Sequence, residues 1–412
     1  MPDSLPRPII AIVSKQRLTG ATNGSSAYLL AIARSLTEAG FELHLIQPSP
    51  TIAGRSPIVR LSRDMEVFAR HAVRGARRIG SRLVFANGPV LRGAVRGVVA
   101  RGARKMGLTG PTWQDRPAPY SVATPWQAAD HAFLREQLAP GTQAIIADYM
   151  FCHPAFEAAS QGTASAIVMH DLFHAREGGD KDSVALVSRE EEVAMLARAD
   201  SVFAIQQNEC DFLARCVPGV EARLVPMPAE PVAAAQPGRS DRVLMVGSNT
   251  APNIEGLRTF LTDAWPTILA AKPTARLQVA GTMNSAFIGE AFPNVDFLGM
   301  VDDLAPLYAQ AGVVISPLTF GSGLKIKLIE GLAQGKAMVV SSVTLQGVED
   351  VCREAVIRAD EGEETAQAII TLLDDPEARS KLATKALMTA QESFSAQAVH
   401  GDLRRWAEQL RG

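Results

Sequence analysis

The stretch "GSGLKIKLIEGLAQGKAMVV", residues 321–340, sets a glycine-rich turn and two lysines ahead of an amphipathic run, carries one acid, Glu330, inside that run, and ends in apolar residues. Glycine permits positive φ and close backbone approach. The helix start that follows has N–H groups without intrahelical partners and a partial positive charge. Together they suit an anion such as a phosphate. The stretch lies between the strand candidates "GVVISPL" and "AMVVSS", so it also reads as one loop and helix of an α/β layer.

The same alternation runs through both halves. In the second half "RVLMVGS", "ARLQVAG", "VDFLGM" and "AVIRA" complete a set of six short apolar, β-branched runs with helical stretches between them. In the first half "PIIAIVSK" is followed by the loop "QRLTGATNGSS", by "AYLLAIARSLTEAG" with Leu29, Leu30, Ala33 and Leu36 on one helical face, and by "FELHLIQP". Strand, glycine loop, helix and strand make a βαβ unit, with a parallel sheet and a right-handed crossover. "RLVFAN", "AIIADYM", "SAIVMHD", "SVFAIQ" and "ARLVPM" are further strand candidates. Between the halves, "PMPAEPVAAAQPGRSD" is rich in Pro and Ala, lacks periodicity and reads as a linker.

A chain of 412 residues exceeds one hydrophobic core and fits two domains of about 200 residues. With 47% apolar and 20% charged residues and a net charge of −2, it has the composition of a globular protein and not of a general nucleic-acid binder. No apolar run approaches the about 18 residues of a membrane helix, and "PIIAIV" is too short and lacks the basic leader of a signal peptide, so a cytoplasmic protein is expected. Cys152, Cys210, Cys216 and Cys352 form no C-x-x-C pair, which points to reduced, buried thiols.

Open parallel sheets bind ligands at the carboxyl ends of their strands, and two such domains facing each other make a cleft lined by loops from both. The segments just after strands are therefore the informative ones: Gly20 to Ser26, His170 and Asp171, Gly247 to Asn253, and the segment from residue 321. A carboxylate such as Glu330 accepts two hydroxyl hydrogens from a ribose, which a lysine cannot do. Lysines and helix amides can stabilise a leaving diphosphate without a metal. Lys325 and Lys327, two apart, cannot share a helical face, whereas Lys327 lies three residues before Glu330 and on its face. Spacing alone leaves open a solvated lysine pair and an acid that merely completes a helix turn.

"ISPLTFGSGLKIKLIEGLAQGKAMVVSS" resembles the nucleotide-binding segment of the retaining family 4 glycosyltransferases of the GT-B fold, in the branch reading P-L-x-x-G-x-G-x-K-x-K-x-x-E. "MVGSNTAPNIEGLRTFLTDAWPTILAAKPTARLQVAG" resembles the entry to that family's second domain, and "HDLFHAR" its donor-site histidine region. The likeness spans nearly the whole chain and is strongest over 243–350. It implies an α/β chain of two Rossmann-like parallel-sheet domains facing across a cleft: an acceptor domain over 1–228, a linker over 229–240, a nucleotide-sugar-binding domain over 241–390, and a C-terminal helix over 391–412 that can pack back on the first domain.

The resemblance further implies that Glu330 holds the ribose, that Lys325 and Lys327 neutralise the diphosphate, that Gly323, Leu324, Gly247, Ser248 and Asn249 line the nucleotide site, and that His170 sits beside the transferred sugar. The implied reaction is transfer of a sugar from a nucleotide-sugar donor to a glycan, lipid-linked or small-molecule acceptor, with retention, without a metal and without a cofactor. Polysaccharide biosynthesis is its expected setting. Two departures stand out. Ser322 occupies the position, eight before Glu330, where many members carry a glutamate, and Gly247, Ser248, Asn249 and Thr250 stand where members often have Arg and Lys. An epimerase of the same fold and a non-catalytic glycan-binding homologue are the alternatives.

"HDLFH" imitates H-E-x-x-H, but its acid is Asp171 and no third ligand has a recognisable spacing, so no metal is expected. "DKD" at Asp180 to Asp182 imitates a D-x-D motif within a polar loop and reads as solvated. The loop with Gly20, Asn23 and Gly24 can cradle phosphate or admit an acceptor, though it is not G-x-G-x-x-G. Finally, Arg70, Arg74, Arg77 and Arg78 recur at helical spacing, Arg92, Arg96, Arg101 and Arg104 extend the basic character, and only Asp64 and Glu66 oppose them. A cationic amphipathic helix docking on an anionic membrane at its cytoplasmic face, a polyanion site and a solvated face are all compatible with that pattern.

Overall fold

The computed structural model describes residues 7–49, 57–85, 121–175, 185, 187–301, 303–321 and 325–411. They form two compact units, one of residues 1–225 with 400–412 and one of residues 226–399.

The N-terminal unit contains ten strands: β1 (Ile9–Val13), β2 (Glu42–Gln47), β3 (Ile58–Arg60), β4 (Arg70–Val73), β5 (Ala76–Ile79), β6 (Arg82–Phe85), β7 (Thr142–Asp148), β8 (Ala164–Met169), β9 (Ser201–Ala204) and β10 (Glu221–Leu224). Seven of them make one sheet in the order β10-β9-β8-β7-β1-β2-β4, and every pairing in it is parallel. Its central strands are near-continuous apolar runs because both faces are covered. Strand order reverses between β1 and β7, which places the loops after those strands at the position where such sheets open a crevice.

The helix Gly24–Glu38 buries Tyr28, Leu29, Leu30, Ile32 and Leu36, and Tyr28 Oη donates to Val225 O at 2.5 Å. The helix Gly401–Gln409 also belongs to this unit. Trp406 packs edge-on to Phe203 at 5.0 Å, Asp402 accepts the Leu224 N–H at 2.9 Å, and His400 Nδ1 meets Ser35 Oγ at 2.6 Å.

The arginines expected on a helix are not on one. Arg70 opens β4, which pairs with β2, and Arg77 and Arg78 lie in β5 of a separate antiparallel sheet of order β3-β6-β5. His71 and Val73 alternate into the core, a period of two, and Gly75 and Gly80 take positive φ at the turns that break the run. "RLVFAN" supplies β6 to that antiparallel sheet and not a strand of the parallel layer. Arg92, Arg96, Arg101 and Arg104 lie outside the described residues. Asp64 pairs with Arg34 at 3.0 Å and so does not balance this segment.

The C-terminal unit holds six strands, β11 (Arg242–Val246), β12 (Arg276–Ala280), β13 (Val295–Gly299), β14 (Val313–Ser316), β15 (Met338–Val340) and β16 (Ile357–Arg358), all paired in parallel in the order β13-β12-β11-β14-β15-β16. This is the dinucleotide-fold order, with its reversal between β11 and β14.

The stretch read as a linker lies against this unit along its length. Val232 N–H donates to Ala333 O, Lys336 Nζ to Gln236 O, Arg379 Nε to Pro237 O and Arg239 N–H to Gln310 O. The four cysteines are free thiols; three are buried and Cys216 is half-buried. No helix among the described residues is long and apolar enough to cross a membrane.

Candidate functional site

In the C-terminal unit the helix Ile326–Ala333 follows β14. Leu328, Ile329 and Leu332 are buried beneath it, worth roughly 1.5–3 kcal/mol each, and that face fixes the opposite one. Lys327 and Glu330 lie there together, Lys327 Nζ donating to Glu330 Oε2 at 2.6 Å, with the lysine side chain 44% and the glutamate 28% exposed. Lys325 sits at the position preceding the helix. Beneath the acid, Tyr308 is 2% exposed, and its hydroxyl makes no hydrogen bond of ordinary geometry. Burial first, and then the Glu330 carboxylate, hold the phenol well above its usual range. Gly323, Leu324 and Ser322 lie outside the described residues.

Across the strand-order reversal, the loop after β11 is held by its own bonds. Asn249 N–H donates to Thr282 Oγ1 at 2.9 Å, and Asn253 Nδ2 donates to Ser248 O, Ser248 Oγ and Thr250 Oγ1 at 2.9–3.2 Å. Gly247 has a packing reason, since a Cβ there would stand 2.1 Å from Met283, and one on Gly281 would stand 2.0 Å from Gly247 O. Pro252 comes up against Gly321, where a Cβ would have room at 3.6 Å, so the loops after β11 and β14 are neighbours.

In the N-terminal unit Gly20 meets the segment after β3: a Cβ on it would stand 2.1 Å from Ser62 Oγ. Asn23 caps the helix Gly24–Glu38, its side chain accepting Ser26 N–H at 2.8 Å. These two residues therefore have local structural work, and Gly24 opens the helix.

His170 follows β8 and is the centre of a built arrangement. Its Nε2 lies 2.7 Å from Asp148 Oδ1, its ring stacks on Tyr149 at 3.9 Å and 23°, and Tyr28 meets it edge-on at 5.4 Å. His174, four residues on, turns to a different acid: its Nδ1 lies 2.6 Å from Glu192, which also accepts the N–H groups of Phe173 and His174. The two histidines thus serve two carboxylates, and no metal-ligand cluster occurs among the described residues. Asp180 to Asp182 lie outside them.

Sequence reasoning missed Asp148, Tyr149, Ser14 and Gln16. The one available signal was a polar residue ending an apolar strand, as His170 does in "SAIVMHD". It also missed Glu209, fully buried behind Asp171; it accepts the Ile205 and Gln206 N–H groups, and burial foremost, with Asp171 next, pushes it up to about 7.

Residues 240–375 match the family described as Glycosyl transferases group 1. No curated protein matches the chain. Among solved structures it is similar to sucrose-phosphate synthase from Thermosynechococcus elongatus (18% identity, TM-score 0.60, covering 98% of this chain and 99% of that one). It is also similar to TarM (10%, 0.65, 100% of each) and to Anabaena Alr3699/HepE in complex with UDP and glucose (14%, 0.55, 98% and 100%). The matched segment contains the whole second sheet and the helix bearing Lys327 and Glu330. The fold is that of the GT-B glycosyltransferase structures, and the matched third of the chain is similar to the group 1 glycosyl transferases.

Proposed function

We propose that this chain, as a member of the retaining family 4 branch, transfers a sugar from a nucleotide-sugar donor to a glycan, lipid-linked or small-molecule acceptor, with retention and without a metal. The observation that carries the reading is the Lys327–Glu330 pair on the helix after β14, in a unit where the loops after β14 and β11 are neighbours at Gly321 and Pro252. Glu330 takes the ribose hydroxyls. Lys327 has three donors, so it can keep Glu330 and still reach the diphosphate. Lys325 and the free N–H groups at the helix start add to the same charge. The Alr3699/HepE complex with UDP and glucose supports a nucleoside diphosphate sugar as donor. His170 contacts the transferred sugar.

A peripheral membrane location on the cytoplasmic side is part of this reading, with a different set of arginines from the expected one. Arg70 is engaged by Gln137, and Arg74 by Asp130 and Pro48 O. On the three-stranded sheet, cross-strand register sets Ile58, Val84 and Arg77, and next to them Arg60, Arg82 and Ile79, on one face. All six except the half-buried Val84 are exposed.

A thermal-shift panel of nucleotides and nucleotide sugars, followed by product analysis, tests the reaction. A ligand at 100 times its Kd stabilises by about 2.7 kcal/mol. One diphosphate nucleotide should shift the protein, and Glu330→Gln should weaken that binding by roughly 1–3 kcal/mol while the fold persists. Unchanged affinity in the folded variant removes Glu330 from the site. A rearranged nucleotide sugar in place of a glycoside product identifies an epimerase, and neither product identifies a binding protein.

A further inference from the structure

Asp148 ends β7 and is completely buried, yet no lysine or arginine pairs with it among the described residues. Its charge is instead met by three donors. Ser14 Oγ and Gln16 Nε2 donate to Oδ2 at 2.5 and 2.6 Å, and His170 Nε2 approaches Oδ1 at 2.7 Å. The donors are themselves fixed: Ser14 Oγ accepts the Gln16 N–H at 3.2 Å, Gln47 Nε2 donates to Gln16 O at 2.7 Å, and His71 Nε2 stands 2.8 Å from Gln47 Oε1. A polar chain thus crosses the carboxyl end of the sheet from β4 through β2, the loop after β1 and β7 to β8.

A buried carboxylate is costly unless its oxygens are hydrogen-bonded, and when ionised it can only accept. The hydrogen between Asp148 and His170 therefore belongs to the imidazole Nε2, and a neutral ring carries its lone pair on Nδ1. Tyr149 closes the arrangement. It adopts φ 68°, a left-handed backbone that costs a side-chain-bearing residue roughly 1–3 kcal/mol, its ring lies flat on His170, and its hydroxyl donates to Ser25 Oγ at 2.6 Å. With Asp148 at one edge of the ring, Tyr149 on a face and Tyr28 edge-on, the imidazole can neither rotate nor exchange its tautomer without breaking a buried contact.

We propose that Asp148 is a positioning residue: it holds His170 as the Nε2–H tautomer, with Tyr149 fixing the plane of the ring, so that Nδ1 is presented as a hydrogen-bond acceptor to a hydroxyl of the transferred sugar. The proposal rests on the reading of His170 as the residue beside that sugar.

The test is Asp148→Asn. An asparagine oxygen still accepts from Ser14 and Gln16, so the fold is kept, but its NH2 faces Nε2 and drives the ring hydrogen to Nδ1. In ¹⁵N spectra of the full chain labelled at its seven histidines, with His170→Ala assigning the signal, the protonated nitrogen of His170 should change from ε2 to δ1. With UDP-glucose as the donor probe, release of UDP should fall about tenfold or more, while the affinity for UDP itself stays within twofold. Asp148→Asn on a His170→Ala background should cost less than threefold. An unchanged tautomer, or an equal loss on both backgrounds, overturns the positioning role. Wild-type turnover in His170→Ala overturns the reading of His170 at the sugar, and the tautomer measurement separates that failure from this one.

Discussion

Both units carry their candidate polar groups past the carboxyl ends of strands at or next to the reversal of strand order, but they hold them by different means. In the C-terminal unit Lys327 and Glu330 answer to one another, three residues apart on one partly exposed helical face. In the N-terminal unit Asp148 and His170 answer to the scaffold, through donors from the loop after β1 and through stacked rings, with the carboxylate fully buried. The first arrangement can rearrange around a ligand at little cost. The second is built once, at folding, and any change in it is felt by the core.

The sharpest way to break this comparison is to truncate one acid in each unit. Asp148→Ala leaves three donors facing a void and should destabilise the N-terminal unit by roughly 3–5 kcal/mol. Glu330→Ala should cost less than about 1 kcal/mol, since an exposed pair contributes little. Denaturant unfolding with hydrogen exchange resolved by unit would measure both, and equal costs would end the distinction.

A second test uses pH and the buried Glu209, raised to about 7. The folded unit holds this proton more tightly than the unfolded chain, whose carboxyl titrates near its ordinary value. The stability present below the unfolded value is therefore lost as pH rises to about 7, by roughly 3–4 kcal/mol, and is flat above it. Glu209→Gln should flatten that slope in the N-terminal unit and leave the C-terminal unit unchanged; a parallel slope in the variant would place the titration elsewhere.

The smallest effect concerns the outer face of the three-stranded sheet. Each arginine near an anionic surface contributes about 1 kcal/mol. Liposome co-sedimentation should require anionic lipid, weaken with salt, and decline when Arg60, Arg77 and Arg82 become glutamine. Equal sedimentation with neutral vesicles, or no decline in the variant, would leave this sheet as a solvated face.

What could be read from the sequence follows the same division. All six strands of the C-terminal sheet stand out, the inner β14 and β15 most clearly, because strands buried on both faces are short, uninterrupted apolar runs. Lys327 and Glu330 are legible because their relation is local. Asp148 is not, since its partners Ser14 and Gln16 lie 134 and 132 residues away and only the order of the sheet brings them together. The arginine run misleads for a physical reason: positions 70, 74, 77 and 78 satisfy a helical spacing, but Gly75 and Gly80 cut the run into strands whose alternation is too short to register.

The N-terminal unit takes its last helix, Gly401–Gln409, from the far side of the other unit's sequence. It is thus a discontinuous domain with a continuous one inserted between its parts. Domains usually fold in the order in which the ribosome delivers them, and here that order is inverted. The inserted unit has all of its residues once position 399 is made, whereas the unit that starts first must wait for Trp406 to reach Phe203 and Asp402 to reach Leu224. A cut after residue 399 would therefore wound the beginning of the protein and spare its middle.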